Sequence, residues 1–199
     1  VSTETLAFKE VEHKFYFNSE DLPRFQAVCD KIPNLKEFIF ATGPDKYYVK
    51  EDRFIRFRKE KYSSSGRAEL TVKTKPDGAK NNIIREEFNV RVDGTPEAAV
   101  EGFIASLGFK LNFVINKNCY IYVFEDATVV MYTVVDITDG KPKYSQTFIE
   151  IEVNEELLHS IDMEEAQNIL KKYETALEPL GISAYKRVKK SLFEMYSRE

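Results

Sequence analysis

The chain has 199 residues, 43% of them hydrophobic and 31% charged, a globular composition that excludes a disordered polar tract. Its formal net charge of −4 provides no overall basic field to draw it to nucleic acid or to an anionic membrane surface. No apolar run approaches the ~20 residues of a membrane span, and the two cysteines, Cys29 and Cys119, form neither a disulfide framework nor a metal-ligand spacing, so reduced thiols in a cytoplasmic protein are expected.

The N-terminus lacks a basic region followed by an apolar core, so no signal peptide is expected. A strand is predicted over about 6–17, containing "FKEVEHKFYF". A helix is predicted over 19–31, with Ser19 as N-cap and Glu20 and Asp21 in its first turn. Four strands follow, at about 45–50, 53–60, 67–75 and 83–92; "KYSSSGRAE" and "KPDGAKNN" read as exposed hairpin connections between them. A second helix over 95–107 starts at Thr95–Pro96 and stops at Gly108. Strands at about 113–124, 128–138 and 146–153 complete a set of eight. Helices over 163–178, ending before Pro179 and Gly181, and over 183–196 close the chain. No repeat, linker or composition break divides residues 1–199, so a single domain is expected. Eight strands with mostly short connections predict an antiparallel sheet that closes, since closure removes unpaired edges.

The strands alternate in an unusual way. On the first, Glu10, Glu12 and Lys14 share one face while Val11, Phe15 and Phe17 share the other. Arg56 and Arg58 alternate with Ile55 and Phe57; Thr71, Lys73 and Lys75 alternate with Leu70 and Val72; Arg85 and Glu87 alternate with Ile84 and Phe88. On the last strand Glu150 and Glu152 alternate with Ile149, Ile151 and Val153. Any single charged face is ordinarily solvated. Here the helices also carry apolar stripes, such as Ile169, Leu170, Tyr173 and Leu177, and those stripes need an apolar surface to cover. The outer faces of the strands supply it, which turns the charged faces inward. Acids then come in pairs on the first and last strands and bases on the middle ones.

Four carboxylates suit a hard divalent cation with oxygen ligands, Mg²⁺ or Mn²⁺. A wall of Arg and Lys suits a polyphosphate. The chemistry expected of both together is positioning and charge neutralisation at a P–O bond. No G-x-x-x-x-G-K-[ST] occurs, so this is not a P-loop. His13 falls on the apolar outer face and reads as structural.

These residues carry a family resemblance. E-x-E-x-K at Glu10, Glu12 and Lys14 resembles the opening motif of the CYTH superfamily, the triphosphate tunnel metalloenzymes. "DKYYVKEDRFIRFR", "LTVKTK", "REE", "VVDITDG" with "FIEIEV", and "YKRVKKSLFE" resemble that family's later segments, in order, across nearly the whole chain. The resemblance implies an α+β fold: a closed eight-stranded antiparallel β-barrel, the triphosphate tunnel, with helices packed outside. It implies metal ligation by Glu10, Glu12, Glu150 and Glu152, with Asp136 and Glu87 as further candidates. It implies triphosphate binding by Lys14, Arg56, Arg58, Lys73, Lys75, Arg85 and Lys117, with Lys190 presented from the last helix. Tyr47 or Tyr48 paired with Lys73 would help activate the attacking water. The sixth strand departs from the family's K-x-R, because Lys117 is accompanied on its face by Ile115 and Cys119. The implied activity is a metal-dependent triphosphate hydrolase acting on tripolyphosphate, thiamine triphosphate or a nucleoside triphosphate. The alternatives are a class IV-type adenylyl cyclase or a tunnel that binds without turnover. The expected partner is a small-molecule triphosphate, with no nucleic-acid duplex and no membrane.

Overall fold

The computed structural model describes residues 8–62, 65–73, 84–143, 145–183 and 186–198; the side chains of residues 8–10, 73 and 84–87 lie outside that description. Its strands are β1 (Phe8–Phe17), β2 (Leu35–Lys50), β3 (Arg53–Lys61), β4 (Gly66–Lys73), β5 (Ile84–Arg91), β6 (Lys110–Phe124), β7 (Ala127–Asp136) and β8 (Ser145–Val153). Its α-helices are α1 (Leu22–Cys29), α2 (Glu97–Ser106), α3 (Glu155–Leu158), α4 (Met163–Leu177) and α5 (Leu192–Tyr196). Every strand pairing is antiparallel, and the order is β1-β5-β4-β3-β2-β6-β7-β8. β1 pairs at both ends of that order, through residues 8–11 with β5 and through 12–17 with β8. The expectation of an eight-stranded antiparallel sheet with helices, an α+β fold, is met.

The main apolar core lies outside the sheet, not within it. Val11 and Phe15 of β1, Val129 and Met131 of β7, and Ile149 and Ile151 of β8 pack with Phe25 of α1 and Leu170, Tyr173 and Leu177 of α4. α4 forms because its apolar residues recur at helical spacing: Ala166, Leu170, Tyr173 and Leu177 are its buried set. A reciprocal capping box between Asp162 and Glu165 starts it. A smaller outer core, Tyr48, Ile55 and Phe57 under Val100 and Ile104, seats α2. With these faces covered by helices, the alternate residues of each strand must face inward.

Three expectations need correction. β2 begins at Leu35, ten residues before the predicted strand, despite Gly43 and Pro44. Pairing with β6 carries the strand through both: Gly43 stands opposite Lys117 and Pro44 opposite Asn116. Gly43 is also the point of closest approach to β3, since a Cβ there would lie 1.8 Å from the Lys59 carbonyl oxygen. Secondly, the last helix is confined to Leu192–Tyr196. Arg187 instead bridges Phe15, and the Val188 N–H donates to the Lys14 carbonyl (2.7 Å), so this segment covers the edge of β1. Thirdly, Asn18, not Ser19, caps the turn before α1, its side chain accepting from the Glu20 N–H at 3.1 Å.

Candidate functional site

The inward residues enclose a cavity of about 400 Å³. Of the residues expected in the site, Lys14, Arg56, Arg58, Lys117, Tyr47, Glu12, Glu150 and Glu152 line it together. The strand order explains the arrangement: β3, with Arg56 and Arg58, stands four places from β8, with Glu150 and Glu152. Lys75 lies outside the described residues, as do the side chains of Glu10, Lys73, Arg85 and Glu87. Their backbones place Glu10 opposite Arg85 and Lys73 opposite Glu87.

The acidic side is organised around one ammonium. Lys14 is 7% exposed, and its Nζ lies 3.2 Å from Glu12 Oε1 and 3.3 Å from Glu150 Oε2. The Tyr132 hydroxyl donates to Glu150 Oε2 at 2.8 Å. Burial acts to raise the Glu150 pKa, but the Lys14 charge, a hydrogen bond with Glu12, the Lys117 charge and the Tyr132 hydroxyl overcome it and hold the carboxyl well below the usual range. Glu12 and Glu152 stand directly opposite each other in register. Like charges so placed repel, which makes this a point where a cation is stabilising.

The basic side is pre-oriented by partners. Arg58 makes a fork to Asp45, Nε to Oδ1 and Nη2 to Oδ2, both 2.9 Å, with Glu60 Oε1 at 3.6 Å. Asp45 is 1% exposed. Burial acts to raise its pKa, and Arg58, then Lys117 and Arg56, hold it well below the ordinary carboxylate range. Arg56 Nη2 donates to Thr71 Oγ1 (2.9 Å), whose hydroxyl donates to Asn89 Oδ1 (2.7 Å). Arg67 pairs with Glu69 beside them. Lys117 sits over the Tyr132 ring, 4.5 Å from its centroid.

Two expected residues fall elsewhere. Lys190 is exposed and precedes α5, because Ser191 is that helix's N-cap, in a capping box with Glu194; Leu192 and Phe193 line the cavity instead. Asp136 is occupied at the end of β7. It accepts from the Thr138 N–H (2.9 Å) and hydroxyl (2.6 Å) and from Arg198 (3.3 Å), and it does not line the cavity. Tyr47 does line it, with its ring stacked on Phe113 at 4.3 Å within an inner apolar cluster that includes Phe54 and Phe193. That cluster was not expected, nor were Asp45, Glu60, Arg67, Glu69, Asn89 and Tyr132. Three of these extend alternations already visible, since Glu60 continues Arg56 and Arg58, and Arg67 and Glu69 precede Thr71 at the same parity. His13 is outside as expected: its Nδ1 bonds Glu174 of α4, and burial, then Arg187, lower its pKa against the pull of Glu174.

Among the described residues, no three His, Cys, Asp or Glu side chains come together closely enough to hold a metal ion. Carboxylate oxygens from two adjoining strands, Glu12 on β1 and Glu150 and Glu152 on β8, line the cavity, with Glu12 and Glu152 a like-charged pair in register; oxygen donors of this kind are the ones hard divalent cations prefer.

No protein-family model matches the chain, and no curated protein matches its sequence. Solved structures do. The PH1819 protein of Pyrococcus horikoshii is 25% identical, with a TM-score of 0.67 over 94% of this chain and 97% of that one. A candidate adenylate cyclase from Vibrio parahaemolyticus is 15% identical, with a TM-score of 0.62 over 94% and 97%. An adenylyl cyclase candidate from Hippeastrum, described as having a dominant triphosphatase activity, is 15% identical, with a TM-score of 0.53 over 94% of each chain. Among the described residues no helix is long and apolar enough to cross a membrane. These solved structures share this chain's fold over nearly its whole length, an eight-stranded antiparallel sheet with helices.

Proposed function

We propose that the protein is a divalent-metal-dependent triphosphatase, which holds a triphosphate in this lumen and hydrolyses its terminal anhydride bond. The observation that carries the reading is that Lys14, Arg56, Arg58 and Lys117 share one cavity with Glu12, Glu150 and Glu152. In this reading the sheet acts as a tunnel closed all round. Arg56 and Arg58 offer forked donors to phosphate oxygens, and Lys14 and Lys117 offer point charges. The family resemblance adds Lys73, Lys75 and Arg85 to the phosphate-binding set; Lys75 and the side chains of the other two lie outside the described residues. Glu10, Glu12, Glu150 and Glu152 would hold Mg²⁺ or Mn²⁺, which when bound neutralises charge on the phosphate chain. Lys14 keeps the acidic cluster from repelling itself, and Tyr47 with Lys73 orients the attacking water.

The test is a product panel. Purified protein is incubated with tripolyphosphate, thiamine triphosphate and ATP in Mg²⁺, in Mn²⁺ and in chelator. Orthophosphate release in metal alone is expected, falling about 100-fold in Glu12→Gln/Glu152→Gln with the far-ultraviolet spectrum unchanged. Pyrophosphate with cyclic AMP from ATP would replace the reading with a class IV-type cyclase. Binding with no product would leave a tunnel that retains its ligand uncut.

A further inference from the structure

The inner surface of the sheet has two unlike halves. Charges come from β1, β8, β3 and β4, whereas β2, β6 and β7 turn Ile39, Ile121, Val123 and Val130 into the same cavity, each partly exposed to it. Asp45 and Lys117 are charged exceptions on that side; Asp45 is buried against Arg58, and Lys117 rests on Tyr132. Register makes the aliphatic residues one continuous strip. Ile39 stands opposite Ile121, Ile121 opposite Val130, and Val130 opposite Glu150, which itself stands opposite Lys14. Val123, two residues beyond Ile121, widens the strip. Neighbouring strands lie ~4.8 Å apart, so the three steps from Glu150 to Ile39 cover about 14 Å of arc.

An inorganic polyphosphate has no use for such a strip. Its oxygens require donors and counter-charge, and aliphatic side chains offer neither. An apolar surface held open inside a polar cavity is stabilised when a ligand's own apolar surface displaces water from it. Glu155 adds a carboxylate acceptor to the same cavity, where it suits a ring bearing N–H donors.

We propose that the lumen selects an organic triphosphate over inorganic tripolyphosphate, with the ligand's ring system on the Ile39, Ile121, Val123 and Val130 strip and its phosphate chain on the Lys14, Arg56 and Arg58 side. This rests on the triphosphate reading of the same site and adds the class of substrate and the residues that choose it.

The experiment is a binding comparison in Mg²⁺ by titration calorimetry, with inorganic tripolyphosphate, ATP and thiamine triphosphate as probes and product formation followed separately. At least one organic triphosphate binds ten times or more tighter than tripolyphosphate. Val123→Thr/Val130→Thr, which keeps side-chain shape while exchanging methyls for hydroxyls, weakens that ligand about tenfold and leaves tripolyphosphate within about twofold. Ile121→Val removes one methylene, with an expected loss of about fourfold, and stands in if the double variant does not fold. Tripolyphosphate binding as tightly as both organic probes, or equal losses for all ligands in the variants, would overturn the proposal. No binding of any triphosphate would overturn both it and the triphosphatase reading. The expected preference without product would overturn the triphosphatase alone.

Discussion

Replacing Asp45 by Asn changes almost no volume and removes one charge, so it isolates the fork that holds Arg58. The carboxylate is 1% exposed, accepts two bonds of 2.9 Å, and lies in a lumen where Arg58 has a second carboxylate, Glu60, at 3.6 Å. Breaking a buried pair from one side costs roughly 3–5 kcal/mol, because the remaining charge stays desolvated. Glu60 recovers part of that, which puts the expectation near the lower end, at about 3 kcal/mol. For a chain of this length 1 kcal/mol moves the melting temperature by about 2–4 °C, so a fall of about 6–12 °C is expected. The assay is urea denaturation at pH 7, read as a lower midpoint at unchanged slope. Acidification supplies a second arm. The folded-state pKa of Asp45 is depressed, so its stabilisation is complete above the ordinary Asp value of about 3.9 and is lost as pH falls below it. The difference between wild type and variant should therefore be full at pH 6–7 and shrink below about pH 4. An unchanged midpoint at pH 7, or a difference that persists undiminished into acid, would refute the assignment of a stabilising charge pair.

Gly43→Ala places a Cβ 1.8 Å from the Lys59 carbonyl oxygen, backbone against backbone, where no rotamer can relieve it. A loss of about 3 kcal/mol or more is expected, and a change under about 1 kcal/mol in urea would show that β2 and β3 separate there without cost. Phe193→Ala removes a ring stacked on Phe54 at 4.2 Å and 8°. The ring is half-buried, so about 2 kcal/mol is expected; thermal melting unchanged within a degree would mean that α5 does not hold that end of the sheet.

Most of the fold was legible because two periodicities coincided. Strands that alternate charge with apolar residues, beside helices with apolar stripes, leave one economical packing: helices outside, charges inside. Val11, Phe15, Ile149 and Ile151 beneath Leu170 and Tyr173 realise it. What escaped was decided by partners distant in sequence. Leu35–Thr42 reads as a broken segment on local signals, since Gly43 and Pro44 follow, and becomes strand only because β6 is there to pair with it. Residues 183–191 carry helix-compatible side chains, yet the Val188 N–H is taken by Lys14 of β1. Neither outcome has a local signature.

The candidate site shows the same division. Alternation identified which residues share a face, and so found Lys14, Arg56, Arg58, Glu12, Glu150 and Glu152; it could not say which charges are already committed to one another. Arg58 illustrates why that matters. Its fork to Asp45 engages Nε and one Nη2 donor of the five N–H donors a guanidinium carries. The remaining donors keep a fixed direction because the fork has removed the side chain's rotational freedom. Asp45 therefore aims Arg58 as well as offsetting its charge, and a ligand oxygen that binds there does not bear the entropy of ordering a long side chain. Lys117 is held differently: it rests on the Tyr132 ring, and its charge helps hold both the Asp45 and the Glu150 carboxyls low. Under the proposed function the anchors on this wall are the arginines whose direction is set by Asp45 and by Thr71, while β6, which carries Lys117, also turns Ile121 and Val123 into the cavity.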